Sequence, residues 1–113
     1  MGACVSFPIK TILNESGTFT SNQTFGPLDA SDVRSILLGF DLSSVSPTGY
    51  VSVQLSGLMP DGNYYNLQGN TARIGLNLLA AVTGPIPSTL QCTVTLGGGA
   101  TSATLSVWAI GQA

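Results

Sequence analysis

"YVSVQLSGLMPDGNYYNLQGN", residues 50–70, decides the fold. Val51, Val53 and Leu55 alternate with Ser52 and Gln54, the two-residue period of a strand with one buried face and one polar face. The run stops at Pro60, which can neither donate a ladder hydrogen bond nor continue a strand, and Asp61-Gly62 is a favoured turn dipeptide. Strand character resumes at Tyr64 and ends near Gln68-Gly69-Asn70. The stretch is therefore a hairpin, the unit of antiparallel sheet, and Asp61 serves its turn. By alternation Tyr65 shares a side with Leu67 and faces inward, which leaves Tyr64 on the outer face.

The same pattern continues on both sides. In "VRSILLGFDL" (33–42) Ile36, Leu38, Phe40 and Leu42 share one face, with Arg34 at the same parity near the edge and Asp41 at the margin. Downstream, "LQCTVTL" (90–96), "GGGAT" (97–101) and "SATLSVWAI" (102–110) read as a second hairpin. Leu90, Cys92, Val94 and Leu96 alternate with polar residues, as do Ala103, Leu105, Val107 and Ala109, and the glycines between them permit positive φ. That loop is no phosphate cradle, because no Lys-Ser/Thr and no helix follow it. Trp108 and Ile110 lie on the otherwise polar side of the last strand. Large apolar groups on a second face need a cover, either the N-terminal segment of the same chain or another subunit.

Nearer the start, strand residues fall around Thr11–Leu13, Gly17–Thr20 and Thr24–Leu28, with a polar turn at Ser21–Gln23 and another in "LDASD" (28–32). "NLLAAV" (77–82) is the one segment with helical periodicity, and that region holds either a further strand or a helical turn. Gly84, Pro85 and Pro87 then make an exposed, stiff loop. Turn residues recur about every 8 to 12 positions, the spacing of a sandwich or barrel. The expected fold is all-β, an antiparallel β-sandwich of jelly-roll-like build. Residues 1–9 form an N-terminal arm with no core pattern of its own, and residues 10–113 form a single domain. Such arms order on a neighbour.

At 113 residues the chain can bury roughly two-thirds of its unfolded surface. Charged residues make up 7% and hydrophobic residues 43%, so solubility rests on hydroxyls and amides. A surface so poor in charge suits either a neutral secreted β-domain or a subunit covered by its neighbours. The net charge is −2, and the cations Lys10, Arg34 and Arg73 form no basic patch, which excludes nucleic acid as a partner. No apolar run approaches the ~18 residues of a membrane span, and no leader pattern opens the chain, so a complete, leaderless soluble protein is expected. "MGACVS" (1–6) matches the short myristoylation pattern, with Cys4 placed for a palmitoyl group, but nothing else supports a lipid anchor.

Reactive chemistry finds little footing. The chain has no histidine, which removes the commonest general base and metal ligand together. Glu15, Asp29, Asp32, Asp41 and Asp61 show no spacing that converges as a catalytic pair. Asp29 and Asp32 flank a turn; with loop carbonyls they make at most a weak calcium site, and as turn residues they need none. Lys10 has no neighbour in sequence that would lower its pKa. No enzyme activity, cofactor or metal is expected. The two cysteines, Cys4 and Cys92, allow one disulfide, although the phase of Cys92 first makes it a small buried hydrophobe. The sequons at Asn14 and Asn22 read as turn and edge residues.

The order of these motifs resembles a family of small tailed-bacteriophage virion structural proteins. The matching residues are "KTILNESGTFTSNQTFGPLDASDVRSILLGFDLSSVS" (10–46), "GYVSVQLSGLMPDGNYYNLQGN" (49–70) and "CTVTLGGGATSATLSVWAIG" (92–111), nearly the whole chain. Two departures are Met59, where the family often has an acid, and a shorter segment before the last strand pair. The resemblance implies a non-enzymatic structural part, either a capsid decoration (cement) protein or a minor head or tail component. It would be made in the bacterial host cytoplasm, sit on the virion, and bind the major capsid protein and copies of itself as a homo-oligomer. Phe7, Ile9, Tyr64, Trp108 and Ile110 are the expected contact residues. A second class of reading is a carbohydrate-binding adhesion module, with Tyr64, Tyr65 or Trp108 stacking on sugar rings beside Asn63 and Asn66.

Overall fold

The computed structural model describes residues 9–72 and 77–112. They form eight strands: β1 (Ile9–Phe19), β2 (Gln23–Asp29), β3 (Ser35–Ser46), β4 (Tyr50–Leu58), β5 (Tyr64–Ala72), β6 (Asn77–Val82), β7 (Thr89–Gly97) and β8 (Ser102–Gln112). All neighbouring pairs are antiparallel. Two four-stranded sheets, ordered β1-β8-β3-β6 and β2-β7-β4-β5, pack as a β-sandwich. Ile9, the last residue assigned to the arm, is the first residue of β1. Phe7, Cys4 and the rest of the arm, like Arg73, lie outside the described residues.

The alternating pattern builds the core directly. Ile36, Leu38, Phe40 and Leu42 of β3 and Ala103, Leu105, Val107 and Ala109 of β8 turn inward from the first sheet. They meet Val51, Val53 and Leu55 of β4 and Leu90, Cys92 and Val94 of β7. The β3–β8 register sets large against small: Leu38 lies opposite Ala109, and Phe40 opposite Val107.

The expected hairpin of residues 50–70 is present as β4–β5, closed by Met59 N–H donating to the Asn63 carbonyl and Gly62 N–H to the Met59 carbonyl, both at 2.9 Å. The second expected hairpin is not. β7 and β8 belong to opposite sheets, and the glycine loop carries the chain across the core from one to the other. Two strands with one apolar face each satisfy the alternation equally well side by side or face to face, and here they are face to face. "NLLAAV" is strand β6, paired with β3 from Ile36↔Val82 to Asp41↔Asn77, so its helical period does not decide its structure. The two short N-terminal strands merge into β1.

The open sides of the sandwich are tied by polar groups. Lys10 Nζ on β1 lies 3.0 Å from Asp29 Oδ2 on β2, and Gln68 Nε2 on β5 donates to the Ala81 carbonyl on β6 at 3.4 Å. Three of the four outer strands carry an extra residue in their ladder: β1 at Ile12, β2 at Gly26-Pro27 and β5 at Leu67.

Candidate functional site

The outer face of the β1-β8-β3-β6 sheet carries the most distinctive surface. Register places its side chains in rows across the strands. The first row is Ile9, Gln112 and Ser35; the second is Thr11, Ile110, Leu37 and Ala81; the third holds Asn14, Trp108 and Gly39. None of these residues is charged. The fourth row, Ser16, Ser106 and Asp41, brings the first charge, and beyond it come hydroxyls such as Thr18 and Thr104, 2.8 Å apart. The face is thus apolar and neutral at one end and polar at the other.

A groove of about 320 Å³ follows the apolar end, with Leu37, Ala81 and Ile110 in its floor, Ile9 as one wall and Thr83 at the rim. Ile9 is 67% exposed, a large apolar side chain with no cover. Trp108 and Ile110 are half-buried. Trp108 stands opposite Gly39 in register, and Gly39 is buried although its parity is outward. Ile9, Trp108 and Ile110 of the expected contact residues are therefore brought together. Among the described residues, Leu37 and Ala81 join this surface. The signal for Leu37 lies in the unbroken run Ile36-Leu37-Leu38, which makes both faces of β3 apolar.

Tyr64 belongs elsewhere, at the β4–β5 corner, opposite Leu58 on the outward parity of β4, and Tyr65, opposite Gly57, is not the buried side chain expected of it. Tyr65 is 48% exposed and Tyr64 is half-buried. The space beside Gly57, the cross-strand partner of Tyr65, is taken by Pro87 and Leu67; a β-carbon on Gly57 would fall 2.6 Å from Pro87 Cγ. Kept out of the core, Tyr65 donates its hydroxyl to Asp61 Oδ2 at 2.5 Å. Asp61 Oδ1 accepts the Asn63 N–H at 3.0 Å. These bonds, the Tyr65 hydroxyl first, hold the Asp61 carboxyl below its ordinary range. Asp61 is a turn residue, as its sequence indicates. Beside the corner, Leu58, Met59 and Pro60 face Pro85, Ile86 and Pro87 across an open apolar cleft.

The other ionisable groups are equally occupied with structure. Asp29 is depressed to about 2 by its bonds from Ser31, whose N–H lies 3.0 Å from Oδ1, and by Lys10. Asp32 sits at φ 66° in the turn. Asn22, within a sequon, accepts the Leu96 N–H at 3.0 Å. Cys92 is a free, fully buried thiol, pushed up to about 12 by burial. Among the described residues no cluster of acids and cysteines is arranged to hold a metal ion, and no helix is long and apolar enough to cross a membrane.

No protein-family model matches the chain, and no curated protein matches it. Among solved structures it is similar to a chain from work describing Bacillus endospore appendages as a novel family of disulfide-linked pili. The match covers 99% of this chain and 97% of that one, with a TM-score of 0.49 and 13% identity. A likeness this distant identifies neither family nor function.

Proposed function

We propose that the chain is a non-enzymatic structural protein of a bacteriophage virion, a capsid decoration protein that binds the capsid exterior and repeats by symmetry. The observation that carries the self-associating part of this reading is the neutral, apolar end of the outer sheet face, which offers a partner burial without any charge to desolvate. The bulged outer strands point the same way, since bulges discourage pairing at a sheet edge and leave a face as the place to associate. The strand orders β1-β8-β3-β6 and β2-β7-β4-β5 support a jelly-roll arrangement, an architecture used by viral capsid domains among others. The assignment to a phage rests on the sequence resemblance. In this role each copy adds a modest interface, and the many copies on a shell sum to a large gain in stability.

Electron microscopy of virions with and without the protein tests the reading. Density lost from the capsid surface, together with earlier capsid rupture on heating, is the expected result. Loss confined to the tail would replace decoration with a minor tail role, and intact particles lacking no density would end the virion reading.

The exposure of Tyr65, next to exposed Asn63 and Asn66, favours one second reading, a sugar-binding corner. Titration of the protein with mono- and oligosaccharides, followed by amide shifts at Asn63–Asn66, decides it. Unmoved resonances at millimolar sugar would exclude it.

A further inference from the structure

We propose that the groove formed by Ile9, Leu37, Ala81 and Ile110 receives residues 1–8 of a second copy of this chain. The inference rests on the self-associating part of the reading above and names the segment that makes the contact.

Four observations favour that occupant. The groove is neutral, and so is "MGACVSFP" (1–8), which has no charged side chain. Val5 and Phe7 share a parity and alternate with Ser6 and Pro8, so an extended segment presents both to one surface. Length suits as well: eight extended residues reach about 26–29 Å, while crossing four strands needs roughly 14 Å. Finally, the segment leaves from the groove itself, since Ile9 is both its wall and the first residue of β1.

The same geometry argues against the chain covering its own groove. Ile9 is already in the ladder, paired with Gln112. Pro8 fixes its own φ and disfavours the helical region for Phe7. The sequence thus favours an extended path leading away from β1 over one that doubles back across the same sheet face. The apolar end alone is a small dimer surface: four strands by about five residues cover roughly 19 × 17 Å, short of the ~800 Å² per partner of a stable interface. Donating one arm and accepting another enlarges the contact and makes it heterologous, closing into rings or growing into open chains.

The native thiol of Cys4 provides the test. Thr83 is exposed at the groove rim, so the full chain carrying Thr83→Cys is oxidised with copper-phenanthroline and run on a non-reducing gel. Cys92 stays silent, being fully buried with its thiol pushed up to about 12. A ladder of disulfide-linked copies is expected, joined between Cys4 and the introduced thiol by peptide mapping. Gln54→Cys, exposed on β4 of the opposite sheet, should give none. Adding Ile110→Asp to the Thr83→Cys chain should cut the yield about tenfold or more by placing a charge in the groove, with the melting curve of each variant confirming the fold. A disulfide formed only within one chain, or equal yields from Thr83→Cys and Gln54→Cys, would overturn the proposal. Sedimentation separates it from the broader reading. Copies that assemble as well without residues 1–8 remove the arm alone, whereas full-length chains that stay monomeric remove self-association altogether.

Discussion

The ring of Tyr50 lies so close to Gly97 that a β-carbon on the glycine would fall 2.6 Å from Cε2 and 2.7 Å from Cζ. This contact joins the turn between β3 and β4 to the loop that carries the chain from β7 across to β8. Gly49 belongs to the same junction: a β-carbon there would collide with the Gly97 carbonyl, and its φ is 119°. Thr101 completes it, with its N–H 2.7 Å from the Ser46 carbonyl. Gly97→Ala should therefore destabilise the protein by about 1–3 kcal/mol through overpacking. Most of that loss should disappear in a Tyr50→Ala background, where the ring no longer competes for the space. Urea denaturation of the double-mutant cycle measures both, and strictly additive losses would show that the ring is not the obstacle.

Acid should weaken the tie between β1 and β2. Asp29 is depressed from its ordinary 3.8 to about 2, first by the Ser31 bonds and then by Lys10. A lowered carboxylate pKa contributes stability that is present above 3.8 and is lost as the pH falls through about 2. The stability difference between the native chain and Asp29→Asn should be constant from pH 7 to about 5 and vanish toward pH 2. Both groups of the ion pair are well exposed, so the difference is small and shrinks further with added salt. Denaturation midpoints across this range check it.

Tyr65→Phe removes the leading cause of the low Asp61 pKa while leaving the Asn63 N–H bond in place. The Asp61 carboxyl should titrate at higher pH in the variant, part of the way back to an ordinary aspartate. Carboxyl carbon shifts followed by NMR through the acid range give the answer, and an unchanged midpoint would mean the Tyr65 hydroxyl does not rest on Asp61 in solution.

Inner and outer faces of the same strands should respond oppositely to substitution. Phe40→Ala empties a fully buried site between Val107 and Leu78 in register and should cost about 3–5 kcal/mol. Ile110→Asp, on the half-buried outer face of β8, should cost the isolated chain clearly less than Phe40→Ala, yet abolish association measured by sedimentation. A large loss of monomer stability from Ile110→Asp would mean that the outer face is part of the chain's own packing.

How far the sequence carried follows from what a two-residue period contains. It names the inward residues of β3, β4, β7 and β8 correctly, because burial on one face is what the period encodes. It says nothing of which sheet a strand joins, and so Leu90–Leu96 and Ala103–Ala109 read as neighbours when they face each other across the core. Asp61-Gly62 does specify its hairpin, since the turn chemistry is local. The exposure of Tyr65 is not in the period, because the space beside its partner Gly57 is taken by Pro87, a residue of another loop. Of the surface, Trp108 and Ile110 stood out as apolar groups on a polar side. The row that joins them to Ile9, Leu37 and Ala81 appears only once register is known, as does the pairing of Lys10 with Asp29.

The extra residues at Ile12, Gly26-Pro27 and Leu67 have a thermal consequence. On the proposed reading copies meet through a face rather than through these outer strands and share no continuous backbone ladder, so their assembly should not be a cross-β fibre and should give no sharp 4.7–4.8 Å meridional reflection. Its cohesion is apolar burial, which weakens on cooling. If copies associate as proposed, the assembly should loosen in the cold into intact sandwiches and close again on warming, which sedimentation at low and ambient temperature checks.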